Sequence, residues 1–334
     1  MPTINEVAAH AKVSASTVSH VVNGTRFVDP ETEERVRSAI ETLGYRPNSL
    51  ARSLRRRQTS TIGLLVPDNS NAFFADVART IEDAGFAQNY SVILCNSDLS
   101  EEKQARYIDV LLSKQVDGII LISSGNRLDP VRHILDAGVP LVVVDREVGD
   151  LPVDQVLVDN EQGGYLAGHY LVQLGHQRIG CVAGPNDITP SAARIAGFRR
   201  ALVEAGVALP PQCIVRGNGR YEDGEAAMRE LLERNPRLTA VFAYNDLMAI
   251  GAMSTLRRAG VEVPEAMSVI GFDNILQASM VVPTLTTIAQ PITNLGEISV
   301  RLLLDRIRHR AGHASRVVLP TALMERESCQ ASDR

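Results

Sequence analysis

Tryptophan is absent from this chain and aromatic residues make up only 4% of it. Even so, 45% hydrophobic and 22% charged residues are the proportions of a globular protein with a sizeable core, which excludes disorder. No apolar run approaches the roughly 18–20 residues that a membrane span needs. The opening MPTINEVAAHAK has neither the apolar stretch nor the cleavage site of a signal peptide, so a cytoplasmic protein is expected. Cys95, Cys181, Cys213 and Cys329 never fall in a C-x-x-C pair. That excludes a zinc site and a disulfide framework, and buried, reduced thiols are expected.

The marks of an enzyme are missing too. No G-x-G-x-x-G opens a βα unit, there is no P-loop, and the seven histidines show no metal-binding spacing. Ser124-Gly125 lacks the G-x-S-x-G form of a nucleophile elbow. Neither catalysis nor a cofactor or metal is indicated.

Charge is divided unevenly along the chain. The net charge is −5, yet residues 1–60 carry 9 Lys and Arg against 6 Asp and Glu. Arg46, Arg52, Arg55, Arg56 and Arg57 form a basic block without an acid between them, the pattern that polyanion binding uses.

That basic block follows three short helices. Thr3-Ile4-Asn5-Glu6 has the capping-box form, after which Ile4, Val7, Ala8 and Ala11 share one face. Past a break at Lys12-Val13, Ser14 caps a helix from Ala15 to Val22 that turns Val18 inward, and Asn23-Gly24 ends it. A third helix is signalled by Asp29 as cap, Pro30 at its first position, apolar Val36, Ala39, Ile40 and Leu43, and Gly44 as the stop. A helix-turn-helix reads DNA with the outer face of its second helix, here Ala15, Ser16 and His20.

From Thr61 onward the pattern changes. Apolar runs such as TIGLLVP, YSVILCN, DGIILIS and VPLVVVDR alternate with amphipathic stretches over 71–89, 101–114 and 130–137. A second series follows with RIGCVAGP, TAVFAYND, MSVIGFD and LTTIAQP, separated by helical stretches over 194–205, 221–234 and 247–259. This predicts parallel sheets covered by helices on both faces. The echo of IGLLVP by IGCVAGP and of VPLVVVD by MSVIGFD predicts two lobes built to one plan. Asp145 and Asp273 each end an apolar strand, where open α/β sheets place ligand-contacting residues.

The segment TINEVAAHAKVSASTVSHVVNG followed by VDPETEERVRSAIETLGYRPNSLARSLRR resembles the N-terminal signature of the lactose/galactose repressor family of bacterial transcription regulators. The wording STVSHVVNGTRFV is nearest to its ribose and purine branch. The resemblance implies an all-α helix-turn-helix domain over 1–46, a hinge helix and linker over 47–60, and an α/β sensor over 61–334. That sensor is similar to periplasmic binding proteins, with two lobes over 61–160 plus 291–320 and over 161–290 plus 321–334. By matching positions, Ala15, Ser16, His20 and Arg26 would contact bases, and Thr3, Ser14, Thr17, Ser19, Asn23 and Tyr45 would hold phosphates. Ala15 is a departure, since it offers only a methyl group. In the hinge, Leu54 matches a wedge that the family drives into the minor groove, flanked by Arg52 and Arg55. At about ten residues such a helix is too short to be stable alone, so it is expected to fold on DNA.

In the sensor the resemblance implies effector contacts from Phe73, Phe74, Asp145, Arg146, Arg194, Asn245, Asp273 and Gln290, with Tyr221 as a further candidate. Carboxylate, amide and guanidinium groups suit vicinal hydroxyls, and aromatics suit the apolar face of a sugar ring. Where purine-binding relatives place an Arg and an aromatic residue, this chain has Ile188 and Gly219, although Tyr221 lies close enough to substitute for the aromatic; this favours a pentose or hexose over a purine. The expected protein is a homodimeric repressor of a palindromic operator whose affinity a small-molecule effector controls. The alternative is a sugar-binding or sugar-modifying enzyme on the same fold.

Overall fold

The computed structural model describes residues 2–45, 58–186, 188–235, 237–309 and 312–332. The chain divides into two compact units, Met1–Thr59 and Ser60–Arg334.

In the first unit the predicted local signals act together. Helix α1 (Ile4–Ala11) starts in a complete Thr3/Glu6 capping box and ends where Lys12 turns left-handed, at φ 55°. Ser14 caps α2 (Ala15–Asn23), and Gly24 at φ 59° stops it. Asp29 caps α3 (Pro30–Leu43) and Gly44 at φ 60° closes it. Val7, Ala8, Ala11, Val18, Val36 and Ala39 form the buried centre, with Ile4, Val13, Ala15, Val21, Val22, Ile40, Leu43 and Tyr45 packed round it. The core is small, so each cap matters to it, at about 1 kcal/mol apiece.

The second unit holds two six-stranded sheets. One contains β1 (Thr61–Val66), β2 (Ser91–Asn96), β3 (Gly118–Leu121), β4 (Leu141–Val144), β5 (Asp154–Val158) and β11 (Arg316–Leu319), in the spatial order β2-β1-β3-β4-β5-β11. The other contains β6 (Ile179–Ala183), β7 (Ile214–Arg216), β8 (Ala240–Ala243), β9 (Ser268–Asp273), β10 (Thr286–Ala289) and β12 (Ala322–Met324), in the order β7-β6-β8-β9-β10-β12. The two orders are the same, so the echoed strands do mark two lobes of one plan. Each is the doubly wound pattern in which the order of strand placement reverses beside the first strand. All pairings are parallel except that of β12 with β10.

Central strands β3, β4 and β8 are buried at every residue, as parallel strands covered on both faces must be. The covering helices are α4 (Ala72–Ala87), α5 (Glu101–Ser113), α6 (Asp129–Asp136), α7 (Asn160–Gln173), α8 (Thr189–Glu204), α9 (Tyr221–Arg234), α10 (Asp246–Arg258) and α11 (Ile292–His309). Helix α8 begins five residues before the expected start at Arg194, because Pro190 in its first turn is pre-set for a helix. Helix α11 packs on the first lobe through Leu295, Val300, Leu303 and Leu304. The chain therefore passes between lobes after β5, after β10 and after β11. Three thiols, Cys95, Cys181 and Cys213, are buried, but Cys329, in the C-terminal segment beyond β12, is only partly so.

Candidate functional site

The C-terminal strand ends of both lobes open on one cleft of about 860 Å³, lined from the first lobe by Phe73, Phe74, Asp145 and Arg146 and from the second by Arg194, Tyr221, Asn245 and Asp273. That is near the upper end of the roughly 300–1,000 Å³ of ligand pockets. The two strand-end carboxylates sit on strained backbone, Asp145 at φ 61° and Asp273 at φ 115°. Such strain is retained where the side chain must be aimed.

Asp273 is the more heavily partnered. Its Oδ1 accepts from Gln290 Nε2 at 2.7 Å and from Arg194 Nη1 at 3.4 Å. Arg194 is itself fixed on three sides. Its Nε donates to Asn160 Oδ1 at 2.8 Å and its Nη1 to the Tyr244 carbonyl at 2.6 Å. Its guanidinium lies 3.6 Å from the Phe272 ring centre and 4.7 Å from that of Tyr244, within cation–π range. Two glycines set the height of α8 and so of Arg194. A Cβ at Gly197 would lie 1.8 Å from the Glu161 carbonyl oxygen, and one at Gly164 would lie 1.9 Å from that of Arg194.

On the opposite wall Arg146 Nη1 pairs with Asp145 Oδ2. Asp145 Oδ1 and Arg146 Nε are buried without a partner. A buried acceptor and a buried donor left unpaired cost about 1–3 kcal/mol each, and both belong to residues of the cleft wall. Phe73 and Phe74 stand edge to face, 5.1 Å between centres. Phe73 is also a core residue, whereas Phe74 is half-buried. Asn245 caps α10 through Met248 N at 2.9 Å and donates to the Gly219 carbonyl at 2.8 Å. Its amide is thus engaged at both ends.

Gln290 is placed differently from the other sequence-derived contacts. It stands behind Asp273 and is not part of the cleft wall. Several cleft residues carried no signal in the sequence. Asp68 meets Arg220 across the mouth, 3.4 Å from carboxylate to Nε, and Ser124, Tyr244 and Leu247 also line the wall. Ile188, Gly219 and Tyr221 line it as well.

Below Asp273 lies a second carboxylate, Asp246. It is fully buried and accepts from Thr287 Oγ1 at 2.5 Å and from Ile275 N at 2.9 Å. Burial first, and then the charge of Asp273, push its pKa up. Burial likewise raises Asp273 to about 7, against the opposing pull of Arg194.

In the first unit α2 carries Ser16, Ser19, His20 and Asn23, positions that recur on one helical face. His20 Nδ1 is 2.9 Å from Thr25 Oγ1, which orients the ring. Ser14 Oγ accepts from Thr17 N and contacts the Ser16 and Thr17 hydroxyls. Thr3 is tied to Glu6 in the capping box, and Asn23 Nδ2 donates to the Ser19 carbonyl at 2.7 Å. Ala15 and Tyr45 pack partly on the core, and Arg26 is exposed. Arg52, Leu54 and Arg55 lie outside the described residues.

A capped three-helix unit with a polar second helix, joined to a two-lobed cleft, defines the class of ligand-controlled DNA-binding regulators. Comparison with known proteins agrees. Residues 3–48 match the family described as bacterial regulatory proteins, lacI family, and residues 59–327 match periplasmic binding proteins and sugar binding domain of LacI family. The HTH-type transcriptional repressor PurR of Vibrio atlanticus is 41% identical over 319 residues, 95% of each chain. The regulator CelR in complex with cellobiose is 38% identical, with a TM-score of 0.76 over 98% of this chain and 100% of the other. The lac repressor dimer bound to operator and the anti-inducer ONPF is 28% identical, with a TM-score of 0.89 over 99% of both. The chain belongs to the LacI family. It is a DNA-binding transcriptional repressor under small-molecule control, and the enzyme alternative falls away because the relatives are named repressors. Among the described residues no helix is long and apolar enough to cross a membrane.

Proposed function

We propose that the chain is a homodimeric, cytoplasmic repressor of a palindromic operator and that the cleft binds a sugar, such as a pentose. The observation that carries the sugar reading is the unpaired pair of atoms on the first wall, Asp145 Oδ1 and Arg146 Nε. One accepts and one donates, which is what a hydroxyl needs on its two sides. Phe74 and Tyr221 supply flat apolar surface for a ring. Ala15, Ser16, His20 and Arg26 read bases. Thr3, Ser14, Thr17, Ser19, Asn23 and Tyr45 hold the backbone, and Leu54 wedges the minor groove between Arg52 and Arg55. Support for a dimer comes from Leu276, Met280 and Val282, which are 69%, 69% and 91% exposed in one short segment, the kind of apolar strip that marks an interface.

The relatives named PurR favour a second reading, a purine effector. Against it stands Ile188 on the cleft wall, which gives a base no guanidinium, although Tyr221 near Gly219 still offers a ring. Thermal unfolding and operator binding of the full chain with D-ribose, cellobiose and hypoxanthine separate the two. A sugar is expected to raise the unfolding midpoint and change operator affinity. A response to hypoxanthine alone would overturn the sugar reading.

A further inference from the structure

We infer that the cleft selects an uncharged ligand and rejects phosphate esters, because every cation on its wall is already paired with a carboxylate of the chain. This rests on the cleft being the effector site, and it adds the charge class of the effector. Among the described residues the wall carries three arginines, Arg146, Arg194 and Arg220, and no lysine. Arg146 pairs with Asp145, Arg194 with Asp273 at 3.4 Å and Arg220 with Asp68 at 3.4 Å. The first two pairs are buried, with all four side chains 4% exposed. Opening such a pair to hand its guanidinium to a phosphate leaves a buried carboxyl without its cation, which is unfavourable even where, as at Asp273, a proton can offset part of the penalty.

The remaining charges on the wall are acidic. Asp98 is offset by Lys103 at 3.3 Å. Glu222 and Asp223, in the first turn of α9, add negative charge at the mouth.

Four helices begin at this cleft, and a helix N-terminus ordinarily attracts an anion. Here one backbone N–H at each start already has a side-chain partner within the chain. Asn71 caps α4 through Phe73 N at 3.0 Å, and Asn245 caps α10 through Met248 N at 2.9 Å. Asp223 accepts from Arg220 N at 3.2 Å at the start of α9. In α8, Thr189 N donates to Asn126 Oδ1 at 3.1 Å, and Pro190 has no N–H to offer. The buried side-chain atoms of the wall that lack a partner are one donor and one acceptor, Arg146 Nε and Asp145 Oδ1, which match a hydroxyl and not a dianion.

Matched pairs test this on the full chain by titration calorimetry at one pH and salt: D-ribose with ribose 5-phosphate, D-glucose with glucose 6-phosphate, and hypoxanthine with inosine monophosphate. In whichever pair responds, the neutral member is expected to bind at least about 30-fold more tightly, since like charges brought together cost several kcal/mol. An ester that binds as tightly as its neutral partner overturns the inference, and so does a panel in which no neutral member binds. If hypoxanthine is the only binder and its nucleotide is rejected, the sugar reading fails while the charge inference stands. Asp68→Asn supplies a second measurement, because it frees the Arg220 guanidinium at the mouth. The ratio of neutral to ester affinity is expected to narrow at least about fivefold in that variant. An unchanged ratio would show that internal pairing is not what excludes the ester.

Discussion

Asp273 ends a strand of the second sheet, Arg194 sits on the helix α8 that covers that sheet, and the two meet at 3.4 Å, each 3% exposed. Because Arg194 also holds Asn160 and the Tyr244 carbonyl, it ties together three elements of the second lobe at the cleft. Arg194→Ala is expected to weaken effector binding by about 100-fold or more, as truncation of one partner in a buried charged pair does. Asp273 can escape part of the resulting penalty by taking up a proton, so the fold survives. Operator binding without effector should stay near the parent value. An unaltered effector response would remove Arg194 from the site.

The raised pKa of Asp273, about 7, has a definite sign in both stability and binding. Folded protein keeps the proton where unfolded chain has lost it, so this group favours folding most below the ordinary carboxyl range. That contribution falls as pH rises and is gone above about 7. Binding runs the other way if effector hydroxyls donate to Asp273 as a carboxylate. Affinity then rises with pH up to about 7, and proton is released on binding below that pH. Calorimetry in two buffers of different ionisation heat measures the release. Asp273→Asn should abolish it. Equal proton release in wild type and Asp273→Asn would show that another group titrates.

How legible the molecule was depends on the range of the interactions. The three N-terminal helices were readable because their caps act over three residues, as Thr3 with Glu6 and Asp29 with Thr32 do. The paired lobes were readable because buried strands are apolar runs, and Asp145 and Asp273 stood out as charges that end them. What escaped notice depends on contacts distant in sequence. Asp68 and Arg220 are 152 positions apart and form a pair only because two lobes face each other. Asp246 was hidden in the first turn of α10, where an acid has a local reason to be, although its partners Ile275 and Thr287 lie in other elements. Helix α7 was missed because its buried face is glycine-rich, with Gly163, Gly164 and Gly168 giving little apolar periodicity. Those glycines are there so that α8 can approach closely.

That approach yields a prediction remote from the cleft wall. Gly197→Ala puts a methyl 1.8 Å from the Glu161 carbonyl oxygen, a backbone atom that cannot swing aside. Helices α7 and α8 must part, and overpacking of this kind costs about 1–3 kcal/mol or more. The unfolding midpoint of the sensor should fall by several degrees. Effector affinity should fall with it, because α8 carries Arg194. A variant with the parent midpoint and affinity would mean that the two helices are free to separate without cost.

The hinge supplies the sharpest separation of specific from nonspecific binding. Leu54 has no charge to offer a phosphate, so under the proposed wedge role its value on DNA lies in unstacking a base step that only a fitting operator centre presents cheaply. Leu54→Ala should therefore weaken operator binding by about 10–100-fold while leaving binding to random duplex nearly unchanged. Arg55→Ala is the matching control, since a phosphate contact contributes to every sequence alike. It should weaken both kinds of binding together and reduce the slope of log affinity against log salt by about one. Titrations of operator and random duplex at several salt concentrations distinguish the two effects. If Leu54→Ala lowers both affinities by the same factor, the leucine is not a wedge, and specificity must come from the face of α2 around Ser16 and His20.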